Sequence, residues 1–325
     1  MDNDKQGNEF HHSDQGMPGH ELNLKPAAKP DLRAAMRLYL GIFVLLIFIG
    51  SFVQVMHFEI GMIITQVLLI LLPAIWFLKR YGVDKVKFAR LYPLKLQLVP
   101  TILVLAGVMW IINMIFAAVL VTGLMEIGYE PIAVIEPPQT IMQYLGYVLV
   151  LSVFAGICEE VLFRGAIMPS MEERGIVPAI VFSSLLFALF HISFLNLFST
   201  FMLGIVMAVL VVKTGSIWAG IIYHMANNFI AATYLYIAGQ HETATEVDFQ
   251  AMLALIPLLI VAVVAAYFLF KLFHRQTVSR ALLEDRKNWL PRGWFSFAFV
   301  AALFIFLVMA MLELAVGFGW FDLGM

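Results

Sequence analysis

The chain of 325 residues is 62% hydrophobic and 13% charged, with a formal net charge of −2, whereas soluble globular proteins are about 45–50% apolar and about 25% charged. With 28 Phe and a mean hydropathy of +0.91, it cannot be a soluble domain, because one core cannot hide that much apolar surface and lipid must solvate the rest. The near-neutral charge, without a basic face, excludes nucleic acid as a partner, and a single cysteine, Cys158, excludes an internal disulfide framework and any CxxC metal or redox site.

The first segment, residues 1–32, is polar, contains Gly and Pro and lacks the apolar run of a signal peptide, which predicts a disordered tail. Its His11, His12 and His20 read as solvated residues without a role. Nine apolar runs follow as candidates to cross about 30 Å of hydrocarbon as helices. They cover residues 37–56, 60–78, 98–125, 141–168, 176–195, 197–212, 217–238, 251–273 and 294–317. The expected fold is therefore all-α, a polytopic transmembrane helix bundle of about nine spans. It divides into the tail, N-terminal helices over 33–140, a central membrane core over 141–240 and C-terminal helices over 241–325.

The bilayer is thus the first partner, and charge predicts the orientation in it, since short cytoplasmic loops collect Lys and Arg. With the N-terminus cytosolic, the inner segments hold five, six, two, one and six of the 20 Lys and Arg, and the outer loops hold none. Two outer segments are instead acidic, with Glu126, Glu130 and Glu136 in one and Glu242, Glu246 and Asp248 in the other. A multi-pass protein of the plasma membrane, N-terminus in and C-terminus out, is expected. The short sixth run also fits a re-entrant segment. Lys271 to Arg292, with Trp289 and Trp294, reads as an interfacial connector on anionic lipid.

Ionisable groups inside spans cost roughly 2.5–3.5 kcal/mol each on insertion scales. Glu159, Glu160 and Arg164 on the fourth run, His191 on the fifth and His224 on the seventh, beside Asn227 and Asn228, point to one shared polar cavity. Gln66 and Asn113 read as interhelical hydrogen-bond partners. At 100° per residue Glu160 and Arg164 share a helix face as an i, i+4 ion pair, while Glu159 projects alone toward neighbouring helices. Ser152, Ala155 and Gly156 lie on the Glu159 face and permit close helix approach. A turn near Arg174 and Gly175 places Glu159 and His191 level in an antiparallel pair. His224 and Asn228 stack at i, i+4, although His224 lies only about 9 residues past its turn and needs a tilted or staggered helix to match that depth.

A carboxylate beside an imidazole in a dry cavity can polarise water for hydrolysis, and His224 with Asn228 can stabilise the resulting oxyanion. Alternatively, Glu159, His191 and His224 form an O, N, N donor set like that of many catalytic zinc sites, without an HExxH motif. Cys158 reads as a small packing residue, and Phe187 as a core aromatic that shields the site.

In this order and on successive apolar helices, Glu159-Glu160-xxx-Arg164, Phe187-xxx-His191 and His224-xxx-Asn228 resemble the three motifs of the CPBP intramembrane protease family, which groups CAAX prenyl proteases with bacteriocin-processing and self-immunity proteins. The resemblance implies that Glu159 and His191 activate water, that His224 and Asn228 stabilise the oxyanion, and that Glu160, Arg164 and Phe187 organise the site. It also implies a membrane-associated peptide or protein substrate and, by the family's usual description, a divalent metal such as Zn. Two other functions use the same groups: a non-catalytic scaffold or bacteriocin self-immunity protein, and a proton-coupled transporter with a buried relay.

Overall fold

The computed structural model describes residues 29–131, 135–240, 254–277 and 295–320. The tail with its three histidines, Glu242, Glu246, Asp248, Trp289, Trp294 and most of the basic connector lie outside these residues.

Among the described residues, nine helices occupy the nine apolar runs. They are α1 (Leu32–Met56), α2 (Phe58–Arg80), α3 (Leu96–Met125), α4 (Ile141–Ser170), α5 (Ile176–Phe190), α6 (Leu197–Thr214), α7 (Ile217–Gly239), α8 (Ile256–Gln276) and α9 (Phe297–Gly317). Local chemistry sets their ends. Asp31 caps α1 by accepting from the Ala34 N–H, and Thr140 with Gln143 forms a reciprocal capping box at the head of α4, each satisfying donors that a first turn leaves orphaned. Gly215 closes α6 at φ 67°, a left-handed position that glycine adopts without penalty.

Seven of the nine helices, among the described residues, are long and apolar enough to cross a membrane. The other two fall outside that criterion for different reasons, so that about seven of the nine expected spans stand as candidates. Helix α5 has 15 residues and ends at Phe190, short of the expected 195, because the chain turns at His191 and Ile192 takes φ 52°. At 1.5 Å per residue it spans only about 22 Å. Helix α7 has 23 residues, but its His224, Asn227 and Asn228 lower its hydropathy.

Lipid solvation is visible on the spans themselves. In each of the seven, less than half of the most apolar stretch is buried, and side chains such as Phe48 at 73% and Phe52 at 64% turn outward on α1. Inside, α5 packs along α6, α6 along α7, and α7 against both α3 and α4, while α2 closes on α4 and α9 on α1. Tyr39, Phe43, Phe163 and Phe190 interlock where α1, α4 and α5 meet, and the Tyr39 hydroxyl donates to the Leu186 carbonyl at 2.9 Å. The head of α7 is pinned to the loop between α2 and α3. The Ile217 N–H donates to the Arg90 carbonyl at 2.9 Å and Ser216 Oγ to the Tyr92 carbonyl at 2.6 Å. Helix α4 thereby lies inside the bundle with α2, α5 and α7 around it.

Candidate active site

Helix α4 carries Glu159 and Glu160 on one ordinary α-helical stretch, Ala155–Glu160, between two stretches of wider i→i+5 bonding, Val148–Phe154 and Val161–Ile167. Such bulges recur at functional sites because they re-aim the side chains beside them. Glu160 points into the protein. It is fully buried and accepts from Arg164 Nη1 at 2.5 Å, as the i, i+4 spacing requires. Arg164, also fully buried, donates through Nη2 to the Gly204 carbonyl of α6 at 2.9 Å, and its guanidinium lies 4.7 Å from the centre of the Phe187 ring.

His224 Nδ1 stands 3.5 Å from Glu160 Oε1, near enough for ionic attraction but outside hydrogen-bond geometry. The approach depends on Gly220, one turn earlier on α7, because a Cβ there would collide with Glu160 Oε2. The depth mismatch expected from residue counting thus leaves His224 within reach of α4. Gly156 opposite Met225, and Ser152 Oγ donating to the Met225 carbonyl at 2.7 Å, seat α4 on α7, the close approach expected of those small residues.

Glu159 points the other way, toward a cavity of about 590 Å3 that His191, His224, Asn227 and Asn228 also line. Glu160 and Arg164 do not line it. The one shared cavity expected for all five titratable groups is corrected to a cavity with a buried ion pair behind it, since adjacent helical residues cannot face the same side. Glu159 is also less isolated than expected. Gln66 Nε2, on α2, donates to its Oε1 at 2.8 Å, while Oε2 is buried without a hydrogen-bond partner. Gln66 is an interhelical partner as expected, but the sequence does not reveal that its partner is Glu159. Asn113, given the same role, instead lines the cavity, with its Oδ1 buried and unpartnered.

His191 caps the C-terminus of α5, and its Nδ1 lies 2.8 Å from the Phe187 carbonyl. A carbonyl only accepts, so Nδ1 carries the proton and, in the neutral ring, Nε2 keeps its lone pair. The Phe187 ring meets both imidazoles edgewise, at 4.8 Å from His191 and 5.7 Å from His224. Phe187 therefore contacts both histidines and the arginine, which is more than the shielding expected of it. Asn228 donates through Nδ2 to the Leu151 carbonyl at 2.8 Å and accepts from Asn227 at 3.1 Å, leaving one Nδ2 hydrogen free. Asn196 and Ser199, also on the cavity wall, have no signal in sequence beyond being polar. Glu313 on α9 holds the loop after His191; it belongs to no motif, and its signal in sequence is only that it is the one acidic residue of that helix.

Glu159, His191 and His224 line one wall, yet among the described residues no three His, Cys, Asp or Glu side chains converge closely enough to hold a metal ion. What the chain itself offers is an acceptor pair, Glu159 Oε2 and His191 Nε2, and a donor pair, His224 and Asn228, across one partly apolar cavity.

No curated protein and no solved structure matches the chain. Residues 141–230, less than a third of the length and the segment that runs from the head of α4 past Asn228, match the model of a family described as Rce1-like, type II CAAX prenyl endopeptidase, a similarity consistent with membership of the CAAX and CPBP protease superfamily.

Proposed function

We propose that the protein is an intramembrane endopeptidase that hydrolyses a peptide bond of a membrane-associated peptide or protein. The observation that carries this reading is the placement of Glu159, His191, His224 and Asn228, from three helices, on the wall of one cavity inside the segment similar to a peptidase family.

The proton accounting is simple. A water held between Glu159 Oε2 and His191 Nε2 gives a proton to Glu159 as its oxygen attacks the peptide carbonyl. The new oxyanion accepts from His224 Nε2 and the free Asn228 Nδ2 hydrogen. His224 donates there through Nε2, while its Nδ1 side is held 3.5 Å from Glu160 Oε1, which fixes the direction of the ring. Glu159 then passes its proton to the leaving nitrogen, the C–N bond breaks as the oxyanion collapses, and a carboxylic acid and an amine depart, the acid's proton passing to the amine on release. A divalent ion such as Zn2+ would be held by Glu159, His191 and His224 only if the three closed further than they lie here, and would then supply Lewis-acid polarisation of a water.

The test compares new peptide termini in membranes of a deletion strain restored with wild type or Glu159→Gln at matched levels, followed by turnover of the substrates found and of a prenylated C-terminal peptide, the class named by the matched family. Loss of a general base lowers rate by about 10²–10⁴-fold, so Glu159→Gln, His191→Ala and His224→Ala are each expected to be nearly inactive while still accumulating as folded protein. Wild-type turnover by Glu159→Gln overturns the mechanism, and full partner protection by that variant without any cleavage supports the scaffold or immunity role. Inhibition by a chelator, reversed by added Zn2+, with about one equivalent of metal in the purified protein, selects the metal-bound form of the site.

A further inference from the structure

Glu313 is the one charged residue of α9, Phe297–Gly317. A carboxylate inside a membrane span is costly unless donors hold it, and here one short segment holds both oxygens. Ser193 Oγ donates to Oε1 at 2.8 Å, and the Phe194 N–H donates to Oε2 at 2.5 Å. Ser193 Oγ in turn accepts from the Asn196 N–H at 3.3 Å and from Asn196 Nδ2 at 3.2 Å. This segment follows His191 directly, and the intervening Ile192 takes φ 52°. A β-branched residue keeps that left-handed conformation only where its surroundings impose it.

The end of α9 that presents Glu313 is itself fixed. The Glu130 N–H donates to the Gly317 carbonyl at 2.7 Å, and the Tyr129 ring fills the space that a Cβ on residue 317 would need. Burial and the nearby Glu313 carboxylate push the Tyr129 hydroxyl above its usual range. The acceptor is thus rigid on one side, and on the other it grips the two residues whose path determines where His191 points.

We propose that Glu313 is a positioning residue for His191, acting from outside the family-like segment by anchoring Ser193 and Phe194 so that the imidazole, with Nδ1 on the Phe187 carbonyl, presents Nε2 to the cavity. This rests on the reading of His191 as part of the hydrolytic site. Charge-assisted hydrogen bonds to backbone N–H are the stronger kind, and a shift of about 1 Å at a catalytic group lowers rate about a hundredfold.

The experiment uses the full chain in lipid nanodiscs, with Glu313→Ala and Glu313→Gln checked for folding by gel filtration and thermal unfolding. It reads kcat and KM on a substrate whose cleavage requires Glu159. It also reads the rate at which diethyl pyrocarbonate modifies His191, followed by mass spectrometry. Glu313→Ala is expected to lower kcat by about tenfold or more, with KM within about threefold, and to change the His191 modification rate by at least about threefold. Glu313→Gln keeps an acceptor for one of the two donors and is expected to recover part of the loss. If Glu313→Ala fails to fold, Glu313→Gln decides, with a fall in kcat expected. Wild-type kcat and an unchanged modification rate in a folded variant overturn the proposal while leaving the protease reading intact. Absence of Glu159-dependent cleavage in the wild type removes the protease reading instead, and the modification rate alone then decides whether Glu313 holds His191.

Discussion

Adjacent carboxylates meet opposite surroundings in this protein because one residue turns a helix by about 100°. Glu160 faces Arg164 and His224 in full burial, and Glu159 faces the cavity with Gln66 on one oxygen. Removing a partner from each site should therefore have different consequences. Arg164→Leu leaves Glu160 as an uncompensated buried charge, a change that costs about 3–5 kcal/mol; it should lower the thermal unfolding midpoint and the amount of protein in the membrane. Gln66→Leu leaves the fold in place but takes away the donor that orients Glu159, so normal accumulation with about tenfold slower cleavage is expected for the loss of one charge-assisted hydrogen bond. The Glu160–Arg164 pair is legible in sequence because both residues lie on one turn of one helix. The roles of Gln66 and Glu313 are not, since their partners are 93 and 120 residues away and only packing makes them neighbours.

Helix contact is set by what side chains leave out. Gly156 and Gly220 seat α4 on α7, and Gly204 lets α6 approach Ser184 of α5. Gly220 is the most sensitive of the three, because its missing Cβ leaves room for the Glu160 carboxylate. Overpacking typically costs about 1–3 kcal/mol, so Gly220→Ala should destabilise the protein to that extent in a denaturation series and weaken turnover beyond the stability loss, since it drives His224 and Glu160 apart. At Gly107 a Cβ would meet only the Ile230 Cδ1 methyl, at an ordinary contact distance of 3.9 Å, so alanine there should have little effect in the same series. Among the described residues, nine apolar runs become nine helices because hydrophobic length is a strong local signal. The stop of α5 at Phe190 is illegible because residues 192–195 remain apolar in composition, and what turns the chain is a backbone conformation secured from α9.

Across the molecule, we propose from the charge pattern of the sequence a cytosolic N-terminus and an outer C-terminus, an arrangement that needs α5 and α7 to pass between the two faces although they fall short in length or hydropathy. Shielding by protein makes that feasible, since both helices bury polar groups against neighbours rather than lipid. In a Cys158→Ala background, single cysteines at exposed loop positions check it. Lys85→Cys should react with an impermeant maleimide only after the cytosolic face is opened, whereas Glu126→Cys should react in intact cells; the reverse pattern inverts the assignment.

The reach of Glu313 to Ser193 also introduces an order of events. The two partners are 120 residues apart, and a ribosome working at about 5–20 residues per second needs roughly 6–24 s to travel that distance. Helices α6 and α7 are made early in this interval, so from Gly239 onward every helix that lines the cavity exists, while the loop that aims His191 still has no anchor. The newborn chain is thus equipped but not yet armed until α9 arrives.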